Sequence, residues 1–304
     1  MDHIPVMLRE VMDSLAPEFG KTYLDCTFGA GGYSRAILER GAKVVAVDRD
    51  PSVKQYADKL SEEFLGALKF VNTDFANIDG YSEGRRFDGV VLDLGVSSMQ
   101  LDRPERGFSF MHEGDLDMRM GSYGKSAKDF IANASEEELA NVIFEYGDEN
   151  ASRRIARAIV RAREESSIQT TTELAQIVRK AIGHRPGKID TATKTFQAIR
   201  IWVNDEMGQL KSFLSQVESI LSIGGRLVVV TFHSLEDKIV KEYLVMNSPK
   251  KVARSKYAKD LPESFEIYKI LTKKPIETGD EEIRKNPRSR SAKLRAAIKM
   301  REIV

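Results

Sequence analysis

The sequence predicts an α/β protein, a largely parallel sheet covered by helices on both faces and interrupted by a helical insert. Three observations carry that expectation. Short continuous apolar runs alternate with helical stretches through the first hundred residues, the pattern of strands buried on both faces and joined by crossover helices. Each of the first four runs leads into a polar or aromatic group, at Asp25, Asp48, Asp74-Phe75 and Asp93, and ligands of open α/β sheets meet the carboxyl ends of strands. Between about Ser126 and Lys194 the pattern turns wholly helical, and a strand run returns only at Arg226.

Taken in order, the first strand is Tyr23–Cys26. A helix from about Ser34 to Arg40 follows, closed by Gly41, since glycine accepts the left-handed backbone of a helix end. The second strand is Lys43–Val47. Pro51 opens the next helix, which runs to about Phe64, because proline fits a first helical turn. Lys69–Asn72 and Asp88–Leu94 are the third and fourth strands. Thr195–Leu221 reads as one long amphipathic helix ended before Gly224-Gly225, and Arg226–Thr231 is the fifth strand. Phe265–Leu271 and Leu294–Lys299 complete a set of seven.

The turn after the first strand is the most informative stretch. Gly29, Gly31 and Gly32 allow positive φ and close approach of a ligand. Asp48 ends the second strand, where an acidic residue can take both hydroxyls of a ribose. The dinucleotide fingerprint needs a third glycine at position 34, which is Ser34, and the Walker pattern needs a lysine that is absent. Asp25 would repel a pyrophosphate and suits a ligand carrying an amine. S-adenosyl-L-methionine, with an amine, a ribose and no phosphate, fits these residues best. A structural strand-to-helix turn is the plain alternative.

Composition narrows the class. The 304 residues, 41% hydrophobic and 31% charged, suffice for about two domains of an ordinary globular protein. No long apolar run suggests a signal peptide or a membrane span. One cysteine, Cys26, excludes an internal disulfide and agrees with a cytoplasmic location. Cys/His clusters with zinc spacing are absent, so no metal is expected. The net charge of +1 hides a basic end: positions 249–304 hold 16 Lys/Arg against 8 Asp/Glu, a surplus of 8 that leaves about −7 elsewhere. Such an end suits a polyanionic partner or is simply a solvated tail. Its densest part includes Arg284, Lys285, Arg288, Arg290, Lys293 and Arg295.

From Val96 to Arg119 neither period holds, and a loop of that length is usually functional or disordered. Phe108 and Phe110 lie among Arg103, Arg106 and Arg119, a composition used for stacking on single-stranded nucleic acid or for pinning a loop to the core. In the helical insert, Ser135 followed by Glu136, Glu137 and Glu138 marks a helix start, and Thr171-Thr172-Glu173 marks another. Arg154, Arg157 and Arg161 share one helical face. His233, just after the fifth strand, stands beside Glu236 and Asp237 in the expected ligand zone.

Residues across nearly the whole chain resemble the bacterial ribosomal RNA small-subunit cytosine-N4 methyltransferases, the MraW or RsmH family. The matching stretches are His3-Ile-Pro-Val, Asp25-Cys-Thr-Phe-Gly-Ala-Gly-Gly, Asp48-Arg-Asp and Asp93-Leu-Gly-Val-Ser-Ser-Met-Gln-Leu-Asp. Others are Glu105-Arg-Gly-Phe-Ser-Phe, Leu116-Asp-Met-Arg-Met, Arg154-Ile-Ala-Arg-Ala-Ile-Val, Phe196-Gln-Ala-Ile-Arg-Ile-Trp-Val-Asn, Phe232-His-Ser-Leu-Glu-Asp and Asn286-Pro-Arg-Ser-Arg-Ser-Ala-Lys-Leu-Arg. Tyr33 stands where the family usually has His, and Met99 where it usually has Pro. The resemblance implies a Rossmann-like seven-stranded methyltransferase sheet dependent on S-adenosylmethionine, over residues 1–112 and 195–304, with an inserted helical substrate-recognition domain over 113–194. It implies a cofactor site at Gly31, Gly32, Tyr33, Asp48, Phe75, Asp93 and Gln100, to which the residue reading adds Asp25. The implied substrate is one cytosine in the decoding region of small-subunit (16S) ribosomal RNA.

Asp93, with Ser97 or Ser98, is one expected acceptor for the proton that leaves the cytosine amine; the equal alternative is that Asp93 serves the cofactor alone. Phe108, Phe110, Arg154, Arg157, His233, Arg288 and Arg290 are the expected RNA contacts. No membrane partner is expected, and a second copy of the chain is a further partner considered. A nicotinamide-dependent dehydrogenase, which the missing third glycine opposes, another nucleic-acid amino-methyltransferase, and a non-catalytic ribosome-assembly RNA-binding protein are the alternatives.

Overall fold

The computed structural model describes residues 5–183, 190–248 and 266–302. His3 and the start of the expected sixth strand, Phe265, lie outside them. The strands are β1 (Thr22–Asp25), β2 (Lys43–Asp48), β3 (Leu68–Asn72), β4 (Phe87–Asp93), β5 (Leu221–Thr231), β6 (Tyr268–Ile270), β7 (Ile276–Glu277) and β8 (Lys293–Lys299). They form one sheet in the order β3-β2-β1-β4-β5-β8-β6.

β1 to β5 pair in parallel. β8 runs antiparallel to β5 and to β6. β7 pairs with β8 at Leu294 and Lys293, whereas β6 takes Ala297 to Lys299. Both strands therefore share the edge of β8 that β5 leaves open. The seven expected strands are all present, and the eighth is this two-residue continuation of the edge.

The apolar runs are explained by burial on both faces: Val90, Val91 and Leu92 of β4 and Val228, Val229 and Val230 of β5 have no exposed surface. From β1 the chain builds outward to β3, then returns to place β4 on the other side of β1. That reversal opens a crevice beyond the carboxyl ends of β1 and β4, where a ligand binds in sheets of this type. Phe213, Leu214 and Val217, from the helix Glu206–Ile220, close one face over Leu24, Val45, Val90 and Val229.

Two compact units divide the chain, Met1–Gly95 with Gly208–Val304, and Val96–Met207. The second unit thus takes in more than the expected insert at 113–194. Its core explains why: Phe108, Leu116, Met118 and Met120 from the long loop, and Phe196 and Ile199 from the helix Thr193–Asn204, pack with Phe130, Leu139, Ile143, Ile155, Ile159 and Leu174. Trp202 stacks on Phe130 with centroids 3.9 Å apart. The expected single helix Thr195–Leu221 is two, because Asp205 takes a left-handed backbone, φ 46°, between Asn204 and Glu206. Short polar side chains tolerate that region best.

Asn204 is the fastening of the loop. Its buried amide accepts from the Met120 N–H at 2.8 Å and donates to the Met118 carbonyl at 2.7 Å. Asn204→Ala strands both backbone groups, and a buried unsatisfied group costs about 1–3 kcal/mol. The expected result is an unfolding midpoint in urea lowered by about 1 M or more, read by fluorescence of Trp202, the single tryptophan.

Candidate active site

β1 ends at Asp25, and the chain then turns tightly into the helix Gly32–Leu38, which starts two residues before the expected Ser34. Gly31 has φ 81°, and a Cβ on it would lie 2.8 Å from the Phe28 ring. A Cβ on Gly32 would lie 2.1 Å from Cγ of Pro5. Only glycine fits at either position without displacing Phe28 or Pro5. Ser34, at the position of the missing third glycine, is buried and donates its hydroxyl to Asp25 at 2.7 Å.

Three carboxylates surround this turn. Asp25 is fully buried and also accepts the Thr27 N–H at 3.2 Å. Burial pushes its carboxyl up to about 6, against those two hydrogen bonds. Asp48 accepts the Gly29 N–H on one oxygen and the Asp50 N–H on the other, each at 2.8 Å. Burial raises it to about 6 as well. Asp93 donates its backbone N–H to Thr27 Oγ1 at 2.7 Å, which ties the end of β4 to the end of β1. Its Oδ1 is enclosed and has no hydrogen-bond partner among the described residues. Burial, then the charges of Asp25 and Glu236, holds the Asp93 carboxyl well above the usual range, and the neighbouring Tyr33 hydroxyl offsets this in part.

None of the hydrogen bonds that these carboxylates make among the described residues comes from a Lys or Arg. Among the described residues these three carboxylates are thus met by backbone and hydroxyl donors alone. S-adenosylmethionine fits this site. Each Asp48 oxygen keeps a lone pair for a ribose hydroxyl. The orphaned Asp93 oxygen suits an ammonium, since buried polar atoms otherwise find partners. A pyrophosphate would be repelled. Phe75, half-buried after β3, meets Phe213 edge-on with centroids 5.7 Å apart and offers an apolar surface for a base. Beside it, Arg49 and Asp74 form an ion pair at 2.8 Å.

The remaining expected residues lie elsewhere. In the second unit, Ser97 caps the short helix Ser98–Leu101: its hydroxyl accepts from the Gln100 N–H, and the buried Gln100 side chain accepts from the Ser97 N–H. The spacing Ser97-x-x-Gln100 is a capping box legible in sequence. Ser98 is the first helical residue and half-buried. Phe108 is 8% exposed and belongs to the helical core, so it corrects the expectation of a stacking platform. Phe110 is half-buried, edge-on to Phe196 at 4.6 Å and under the Arg179 guanidinium. These phenylalanines pin the loop.

Arg154 and Arg157 are exposed on the helix Ser152–Glu165, and Arg157 faces Glu136 at 3.5 Å. Arg288 and Arg290 are exposed on the turn Pro287–Ser291. Arg295, from the same basic stretch, is instead buried against Asp237 at 2.7 Å, where no phosphate reaches it. His233 is the N-cap of the helix Ser234–Met246, with its ring 9% exposed and 3.0 Å from Glu236. Its Nδ1 accepts the Glu236 N–H within that cap. Sequence reading gave no role to Thr27, Ser34 or Glu282, which bond or bear on these carboxylates. Among the described residues no helix is long and apolar enough to cross a membrane.

The fold and this pocket define an α/β enzyme of the nucleoside-cofactor methyltransferase kind. Residues 1–300 match the MraW methylase family, and the chain belongs to it. It is 56% identical over 301 residues to Ribosomal RNA small subunit methyltransferase H of Rickettsia bellii strain RML369-C, covering 98% of this chain and 99% of that one. The protein of the same name from Rickettsia felis is also 56% identical, covering 98% of each chain. Among solved structures, an rRNA methylase from Streptococcus thermophilus aligns over 99% of both chains with a TM-score of 0.45 and 10% identity.

The raised Asp25 carboxyl has a direct consequence for the ligand-free protein. An ordinary aspartate titrates near 3.8, and this one near 6. The folded state then holds the extra proton between those values, so its stabilising contribution is complete below about pH 4 and is lost as pH rises through 6. Asp25→Asn removes the dependence. The wild type is expected to lose roughly 2–3 kcal/mol more than the variant between pH 4 and 7, measured by urea unfolding at each pH.

Proposed function

We infer that this chain is an S-adenosylmethionine-dependent methyltransferase that modifies N4 of a cytosine in the decoding region of small-subunit ribosomal RNA, working in the cytoplasm. The full-length match to relatives of that name carries this reading. The carboxylate pocket supports it. When bound, the cofactor supplies a methyl group on a positively charged sulfur, open to in-line attack.

The chain's part is alignment and proton handling. Asp48 holds the ribose and Phe75 the adenine. The glycine turn lets the backbone come close, and Asp25 keeps the turn in shape through Ser34. The amine of cytosine is a weak nucleophile because its lone pair is shared with the ring. Placing it in line supplies much of the rate, and an oxygen that accepts its proton supplies more. Of Asp25, Asp48 and Asp93, only Asp93 has an oxygen without a hydrogen bond among the described residues. We assign it to the methionine end and to the departing proton. Ser97 serves the cap, which leaves its hydroxyl poorly placed for that task. Gln100 completes the cofactor set that the family implies. Arg154, Arg157, Arg288 and Arg290 are the phosphate contacts, and the target base leaves its stack to enter the pocket.

The test is transfer of tritiated methyl to small-subunit particles and to naked RNA from cells that lack the enzyme. Label in N4-methylcytidine after complete digestion is expected, and label confined to another nucleoside would refute the reading. Asp93→Asn is expected to lower turnover at least about a hundredfold, and Asp48→Ala to weaken cofactor binding roughly tenfold to a hundredfold. Full turnover by Asp93→Asn with intact binding would remove it from the chemistry.

A further inference from the structure

The segment Pro5–Met7, ahead of the first helix, is joined to the glycine turn from two sides. From the turn itself, Tyr33 is 4% exposed and donates its hydroxyl to the Val6 carbonyl. From the far end of the chain, Glu282 of the short helix Asp280–Lys285 accepts the Met7 N–H at 2.8 Å. Between them the Pro5 ring occupies the space that a side chain at position 32 would need. Met7 has no exposed surface and a left-handed backbone, φ 51°. A non-glycine residue keeps such a conformation only where its surroundings enforce it.

These anchors meet at the same corner of the pocket. The Tyr33 hydroxyl and the Asp93 carboxylate are neighbours, and the charge of Glu282 bears on both. Asp93 is the group with the orphaned oxygen. We propose that Pro5–Met7 is a clasp that forms one wall of the cofactor site, with Tyr33 and Glu282 as positioning residues that hold it against the glycine turn and set the Asp93 carboxylate for the cationic methionine end. The proposal rests on the cofactor reading above. It gives Tyr33 a function that the imidazole usual at this place in the family would meet with a different reach. It also explains why a glutamate some 275 positions away in sequence is tied to the start of the chain.

The mechanism is preorganisation. With the clasp fixed, Asp93 is already oriented and the turn already shaped, so binding orders little. Loosening one anchor lets the segment move, and part of the binding free energy goes into ordering it again. The two anchors act on one segment, so their effects are coupled rather than additive.

The test measures cofactor binding by calorimetry on the full chain, with Tyr33→Phe, Glu282→Ala and the double variant. Lys285→Ala, on the exposed side of the same short helix, is the control. Each single change is expected to weaken S-adenosylmethionine binding roughly fivefold to tenfold. The double variant is expected to lose less than the product of the two. In turnover, the loss appears in the cofactor KM and is recovered at saturating cofactor. Hydrogen exchange at the Val6 and Met7 amides slows on adding cofactor to the wild type, and slows less in each variant. A merely structural role would lower the melting temperature and leave affinity and the exchange response unchanged. Wild-type affinity in both single variants overturns the clasp while the cofactor reading stands. A wild type that does not bind S-adenosylmethionine overturns both.

Discussion

Negative charge is the constraint around which the sheet's working end is built. Asp25 and Asp93 lie at the ends of adjacent strands, and Asp48 ends the next one out. Burial raises all three carboxyls, and repulsion from neighbouring carboxylates adds to it at Asp48 and Asp93. The fold answers with fixed dipoles: backbone N–H groups of Thr27, Gly29 and Asp50, and the Ser34 hydroxyl. The glycine turn is thus more than a gap for a ligand. Its Gly29 N–H points at Asp48, so the turn and that carboxylate are placed by one bond.

The helical unit solves a different problem, which is how to present cations. Along Ser152–Glu165, Ile155, Ala156 and Ile159 enter the core. Arg153, Arg154, Arg157 and Arg161 are what the helical period leaves on the other side. The loop beginning at Val96 belongs to this unit because its phenylalanines and methionines fill the same core. Its aromatic residues Phe108 and Phe110 therefore serve packing, while Arg153, Arg154, Arg157 and Arg161 stay exposed.

How much of this was legible follows from which interactions are local. Strand positions were, because burial on both faces writes an unbroken apolar run, and each of the three aspartates sits where the run stops. β7 was not, since two residues carry no period. The break at Asp205 was not, because no glycine or proline marks it and the Asn204 bonds that favour it join residues over 80 apart. Asp93 could be placed, but its orphaned oxygen could not, because that depends on Tyr33, Glu236 and Glu282 arriving from three other segments. His233 shows the opposite case. Its neighbourhood of acids looked chemical, yet His233-x-x-Glu236 is the spacing of a helix cap, and local capping accounts for both residues.

The same charge balance bears on turnover. The charges of Asp25, Glu236 and Glu282 all bear on Asp93 and add to burial in holding its carboxyl up. A cation in the pocket stabilises the ionised carboxylates, and its loss returns them toward protonation. In the proposed reaction the pocket begins with a positive sulfur and ends with a neutral thioether, while the substrate amine sheds a proton. If Asp93 takes that proton, the pocket loses one negative charge as it loses one positive charge, and its net charge does not change. On the proposed reading, asparagine at position 93 keeps the shape but removes that compensation, so the proposal needs a carboxylate there and not merely an acceptor of the right size.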